Sequence, residues 1–164
     1  MQRHVGMTNP VAGERAPEFS LPKDAENHVL RRSELAGKPA VLVFYPADWS
    51  PVCGDQLAIY NELRDELGRH NAQLVGISVD GVWCHRAFRE HRKFWFPLLS
   101  DFEPKGEVAR RYGVYRAADG IAERALFVLR PDGVIAWRYV SPVNVNPGAD
   151  GILDALEQLH AEAA

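Results

Sequence analysis

The sequence predicts an α/β domain: a central mixed sheet flanked by helices, with a β-hairpin in front of it. Three observations carry that expectation. The runs Ala40–Tyr45 and Gln73–Val79 are almost wholly apolar and rich in β-branched residues, as expected of strands covered on both faces. Between them Leu57, Tyr60, Leu63 and Leu67 recur at helical spacing until Gly68, so strand, helix and strand form a right-handed crossover with the two strands parallel neighbours or nearly so. Near the end, Arg124–Leu129 and Val134–Tyr139 flank the turn sequence Arg130-Pro-Asp-Gly133, which makes an antiparallel hairpin and hence a mixed sheet.

The remaining elements follow in order. Residues 1–13 show no apolar period and are expected to be a loose lead-in, with a single domain over 14–164. Pro17-Glu-Phe-Ser-Leu-Pro22 alternates, Lys23 to His28 is a polar turn and Val29-Leu30 returns, giving the front hairpin. Ser33-Glu-Leu-Ala-Gly37 holds at most one helical turn. After the second central strand, Asp80-Gly81 leads to a short helix from Val82 to about His91, with Val82, Trp83, Ala87 and Phe88 as its apolar members and Cys84 on it. Pro97–Asp101 is a short strand and turn, Lys105–Tyr112 a helix stopped by Gly113, and Tyr115–Ile121 a loop. A closing helix from Asp150 to about Ala161 sets Ile152, Leu153, Leu156 and Leu159 on one face. A βαβα half followed by ββα, with an extra hairpin in front, is the thioredoxin-like arrangement.

Composition narrows the function. In 164 residues, 46% hydrophobic and 25% charged with a net charge of −3, nothing calls for nucleic acid or an anionic membrane as partner. No apolar stretch is long enough to span a bilayer, and the first residues lack the apolar core of a secretory signal, so a reducing cytoplasm is the expected compartment. There, two cysteines are better suited to catalysis or redox response than to a disulfide scaffold. The six histidines are scattered without ligand spacing, which gives no reason to expect a metal.

The stretch Pro46-Ala-Asp-Trp-Ser-Pro-Val-Cys53 carries the chemistry. It places Cys53 where a buried strand gives way to a helix, at or near the first helical turn. Unpaired N–H groups and the positive end of the helix dipole favour an anion there, and for a cysteine that anion is the nucleophilic thiolate. Ser50 can fold its hydroxyl back toward the sulfur, and Pro46 and Pro51 stiffen the loop. Because loops leaving the carboxyl ends of parallel strands gather at one sheet edge, Cys53 and Cys84 are expected on the same side of the molecule without being in contact. His85 is adjacent to Cys84 along a helix and therefore does not face it. The basic run His85 to Lys93 is read first as a solvated face, and second as a docking patch for an acidic reductant.

Pro46-x-x-x-Ser50-x-x-Cys53 behind a buried strand resembles the peroxiredoxin signature, with serine in its hydroxyl position. Gln56, Phe96-Pro-Leu-Leu-Ser-Asp101, Tyr112-Gly-Val114 and Arg124–Leu129 resemble further parts of the same family in the same order, so the likeness runs from about Ala16 to about Leu159. It is closest to the bacterioferritin-comigratory and alkyl hydroperoxide reductase E types. The resemblance implies a thioredoxin-like fold and a thiol peroxidase that reduces hydrogen peroxide and organic hydroperoxides through a sulfenic acid on Cys53, without cofactor or metal. It implies that Arg124, opening a late strand, comes back beside the thiol, where a planar guanidinium can hold the thiolate and donate to the departing oxygen. Pro46 and Ser50 belong to that site, and Gln56 and Trp49 support it. Cys84 is expected to resolve the sulfenic acid to an intramolecular disulfide after local unwinding, with thioredoxin or a similar dithiol as reductant. A homodimer is expected.

Other classes fit less well. A cysteine hydrolase would need a nucleophile elbow and a histidine beside Cys53, and Val52-Cys-Gly54 has no Gly-x-Cys-x-Gly pattern. A dithiol oxidoreductase would need Cys-x-x-Cys. A non-enzymatic peroxide sensor or chaperone-like binding protein on the same fold is the alternative, and steady peroxide turnover separates it from the enzyme.

Overall fold

A computed structural model describes residues 8–163. Its centre is a five-stranded mixed sheet in the order β5-β4-β3-β8-β9. These strands are β3 (Ala40–Phe44), β4 (Gln73–Ser78), β5 (Leu98–Ser100), β8 (Arg124–Leu129) and β9 (Ile135–Ser141). β3 pairs in parallel with β4, as the crossover between them requires, and antiparallel with β8. All five residues of β3 and all six of β8 are buried, which explains why both read as continuous apolar runs rather than alternating ones. In front lie β1 (Ser20–Pro22) and β2 (Val29–Arg31), a separate two-stranded hairpin, followed by one 3₁₀ turn at Arg32–Leu35.

Helices cover both faces. On one, α1 (Pro51–Glu62), α3 (Val82–Arg92) and α5 (Asp150–Ala163) contribute Cys53, Leu57, Tyr60, Phe88, Ile152 and Leu156 to a core shared with Val41, Val43, Tyr45, Leu126 and Val128. The other face packs Leu42, Phe44, Ala125 and Phe127 against Leu21, Leu35 and the short α4 (Glu107–Arg111). The alternation of side chains along β3 and β8 sorts the residues between these two cores.

Several boundaries differ from the sequence expectation, each for a local reason. The helix after Cys53 breaks at Leu63 (φ −92°, ψ 16°) and resumes as α2 (Arg64–Arg69). α4 starts at Glu107 rather than Lys105 because Gly106 is left-handed, with φ +71°. The segment 115–121, expected as a loop, closes into a small ribbon in which β6 (Tyr115–Arg116) pairs with β7 (Ile121–Ala122). On α3 the buried positions are His85 and Phe88, whereas Trp83 is 68% exposed and Ala87 exposed, so of the four apolar members named from sequence only Phe88 is buried in the packed face. Residues 8–13 are tied down rather than loose: Pro10 is buried, and the N–H groups of Thr8 and Gly13 donate to the carbonyls of Arg110 and Ile135. The earlier part of that lead-in, 1–7, lies outside the described residues.

Candidate active site

β3 ends at Phe44, and a six-residue bend from Tyr45 through Ser50 carries the chain into α1. Pro46 is buried at its start and Pro51 is the first helical residue, where its missing N–H is not needed. Ser50 is the N-cap, so Cys53 is the third residue of the helix. Gly54 N–H is the first to bond back, to the Ser50 carbonyl at 2.9 Å, leaving the N–H groups of Val52 and Cys53 ahead of the helical ladder. The Ser50 hydroxyl makes no capping hydrogen bond, and among the described residues it has none to the sulfur either, contrary to the expectation that it folds back on Cys53.

Strand register brings in the second part. Phe44 pairs with Ala125, so Arg124 stands one step further, level with the end of β3 and the start of the thiol loop. Its side chain falls on the same face as Leu126 and Val128, the face of α1. Arg124 is 1% exposed, and every branch of its guanidinium is engaged. Nη1 donates to Cys53 Sγ at 3.3 Å and to Gln56 Oε1 at 2.8 Å, while Nε and Nη2 donate to the Val143 carbonyl at 3.0 and 2.8 Å. Gln56 is held in turn, its amide donating to the Tyr60 hydroxyl at 2.8 Å, and Tyr60 donates to the Gly148 carbonyl at 2.9 Å. Burial pushes the Tyr60 hydroxyl up to about 12 against the opposing effects of Gln56 and Arg124, so it remains a neutral donor at the end of this chain. The single loop between β9 and α5, together with α1, thus fixes one cation on one sulfur, a geometry that stabilises negative charge at Sγ and offers a donor to any atom reacting with it.

The second thiol sits in a different field. Cys84 is partly exposed on α3, and its ligand atom lies within 4.8 Å of carboxylate oxygens of both Asp48 and Asp80. Burial, then those two carboxylates, push the Cys84 thiol up to about 11, with a contact to Trp49 acting the other way. Both cysteines are free.

Residues 12–138 match the AhpC/TSA family. A peroxiredoxin of Entamoeba histolytica is 35% identical over 138 residues, covering 78% of this chain and 58% of that longer protein. Peroxiredoxin-1 of Gallus gallus is 30% identical over 151 residues, covering 86% and 75% of the two chains. The crystal structure of peroxidoxin BcpB from Mycobacterium tuberculosis superposes with a TM-score of 0.80 at 32% identity over 93% of this chain and 98% of that one. The chain belongs to the peroxiredoxins. A peroxiredoxin is a thiol-dependent peroxidase, an oxidoreductase, and the likeness to BcpB puts this one with the bacterioferritin-comigratory type. No helix among the described residues is long and apolar enough to cross a membrane.

Against that background the peroxiredoxin brings Cys53, Gln56 and Arg124 into one hydrogen-bonded group, with Pro46 and Ser50 forming the loop around them. Trp49 is half exposed, and its ring packs on Phe88 and His91 of α3, with centroids 5.2 and 5.4 Å apart. The basic run on α3 is neither a free patch nor wholly solvated. Arg86 meets Glu90 at 3.2 Å and Glu26 at 3.7 Å, Arg89 donates to the Phe96 carbonyl, and His85 is buried.

That histidine belongs to a group the sequence did not reveal. Asp48 is 7% exposed, accepts from the Tyr45 hydroxyl at 2.6 Å and lies 2.7 Å from His85 Nδ1; His85 Nε2 faces the Leu99 carbonyl at 3.0 Å. Because a carbonyl only accepts, Nε2 carries hydrogen and donates to it, while Nδ1 makes the contact to Asp48. The partners are separated by 37 residues in sequence, so no local pattern joins them. The one available signal was an acidic residue inside the thiol loop facing a histidine on the next βα crossover.

Proposed function

We propose that Cys53 is the peroxidatic cysteine, attacking hydrogen peroxide and organic hydroperoxides. Its thiolate bonds to one peroxide oxygen, the O–O bond breaks, and the second oxygen leaves as hydroxide or alkoxide and takes up a proton. Negative charge moves from sulfur to the leaving oxygen, so donors are needed at both ends of the line. The observation that carries this reading is the 3.3 Å contact from a fully buried guanidinium to Cys53 Sγ. Arg124 holds the ionised sulfur first and the developing oxyanion next, the N–H groups of the first turn of α1 add partial positive charge, and Ser50 keeps a hydroxyl free to donate to the peroxide.

Cys53 ends as a sulfenic acid. Cys84 then condenses with it, which requires local unwinding because the two residues sit on different helices, and a thioredoxin-type dithiol reduces the disulfide. The enzyme acts in the cytoplasm, as a homodimer, without cofactor or metal. Steady consumption of peroxide in the presence of thioredoxin, thioredoxin reductase and NADPH, abolished by Cys53→Ser, is the expected result. Oxidation of Cys53 once, with no further turnover under any dithiol, would instead make the protein a peroxide sensor.

A further inference from the structure

The buried group around Asp48 joins the two elements that carry the cysteines. Asp48 lies in the thiol loop, five residues before Cys53, and His85 lies on α3, next to Cys84. Their 2.7 Å contact, at 7% and 3% exposure, ties the loop to the helix. A second tie runs through the backbone: Asp48 N–H donates to Asp80 Oδ2 at 2.9 Å, and Asp80 is fixed by the Ser78 hydroxyl at 2.6 Å. A third is Trp49, whose ring lies on Phe88 while its backbone is left-handed, with φ +69°. That conformation is unfavourable for a bulky residue and persists only where its surroundings impose it. The loop is therefore strained and held down by α3.

Asp48, Asp80 and Cys84 could be taken for a cation site. The oxygens argue otherwise, since both of Asp48 are occupied by Tyr45 and His85, and Asp80 Oδ2 accepts two hydrogen bonds already.

We infer that Asp48 and His85 are positioning residues forming a gate between the two cysteines: their buried pair holds the thiol loop against α3 and, with Asp80, withholds Cys84 from reaction until that loop lets go. This rests on the reading of Cys53 as peroxidatic and Cys84 as resolving. While the loop is down, the groups facing the Cys84 thiol are the Asp48 carboxylate from the loop, the Asp80 carboxylate from the turn before α3, and the Trp49 ring; His85 on its own helix points to Asp48 instead. Two carboxylates oppose a second negative charge on the adjacent sulfur, consistent with the raised Cys84 thiol. When the loop unwinds, Asp48 leaves with it. The Cys84 sulfur then bonds to the Cys53 sulfur, the S–O bond of the sulfenic acid breaks, and hydroxide departs as water with the Cys84 proton. Resolution thereby waits, after the sulfenic acid has formed, on release of the loop, which the strain at Trp49 favours.

Two variants of the full chain separate this gate from plain structural support. Asp48→Asn removes both the tie's charge and one carboxylate beside Cys84. In reduced protein, the pH midpoint for iodoacetamide labelling of Cys84, followed by peptide mass, is expected to fall by about one pH unit or more. After one equivalent of hydrogen peroxide, the delay between sulfenic acid and disulfide shortens about fivefold or more. His85→Gln loosens the tie but leaves the carboxylate in place, so it shortens the delay without lowering the labelling midpoint. A destabilised fold alone cannot divide the two readouts in this way. If Asp48→Asn does not fold, His85→Gln with Asp80→Asn carries the same test: the amide oxygen that Asp80→Asn introduces still accepts from Asp48 N–H and keeps the second tie, while the lost carboxylate charge lowers the midpoint. An unchanged midpoint in both Asp48→Asn and Asp80→Asn, or an unchanged delay in His85→Gln, overturns the inference. So does a parent protein whose sulfenic acid never becomes a Cys53–Cys84 disulfide. A parent whose Cys53 takes up no oxygen defeats the peroxidatic reading itself, a result distinct from either of these because labelling is measured on reduced protein.

Discussion

Arg124→Ala tests how much of the chemistry depends on one buried cation. Truncation removes four donor contacts: one to Cys53 Sγ, one to Gln56 and two to the Val143 carbonyl. The contact to sulfur is charge-assisted, and deleting a comparable oxyanion donor lowers a rate by about 100- to 1,000-fold, or roughly 3–4 kcal/mol of barrier. The second-order rate of Cys53 oxidation should fall by that factor, read by stopped-flow tryptophan fluorescence at varied peroxide. Arg124→Lys keeps the charge but cannot span sulfur, Gln56 and Val143 together, and should lose about tenfold or more. The Val143 carbonyl and the Gln56 amide are left short of a partner, so both variants also lose stability by about 1–3 kcal/mol. Thermal unfolding and far-ultraviolet circular dichroism measured alongside keep the two effects apart. If folded Arg124→Ala oxidises within about threefold of the parent, the guanidinium does not stabilise the reacting charge and the electrostatic account is refuted.

Two other perturbations probe separate parts of the account. Cys84→Ser should accumulate sulfinic acid on Cys53 in excess peroxide and lose turnover with thioredoxin; turnover equal to the parent would remove Cys84 from the mechanism. Asp101 is 2% exposed and accepts from the Val108 and Ala109 N–H groups, yet burial pushes its carboxyl up to about 6. The folded state therefore binds this proton more tightly than the unfolded state. Its contribution is fully present below the ordinary carboxyl range near 4 and is lost as pH rises through about 6, amounting to about 3 kcal/mol. Denaturant unfolding at pH 4 to 7 should show this decline in the parent and a flatter profile in Asp101→Asn; equal slopes in both would contradict it.

What could be read from the chain alone depended on how local each signal was. β3, the turn into α1 and Cys53 were legible because a buried strand, two prolines and a serine cap fall within fourteen residues, Ala40 to Cys53. Arg124 was legible only by resemblance: nothing in Arg124–Leu129 points to a sulfur 71 residues away, and the antiparallel register of β3 with β8 is what makes the contact. Gln56 was noted by position, but its task of holding Nη1 of Arg124 needed coordinates. The Tyr45–Asp48–His85 group was missed because adjacency of His85 to Cys84 suggested nothing, while the residue it meets lies on a loop 37 positions earlier. Trp83 misled for the opposite reason, since an aromatic at helical spacing implies a packed face, yet this one stands in solvent beside the Arg86 guanidinium.

The central claim concerns one sulfur. Reduced protein treated with one equivalent of hydrogen peroxide and a sulfenic acid trap, then analysed by intact and peptide mass, should carry a single adduct on Cys53 within seconds, and a Cys53→Ser variant should carry none. An adduct on Cys84 instead, or an unmodified Cys53 with the peroxide still present, would contradict the account.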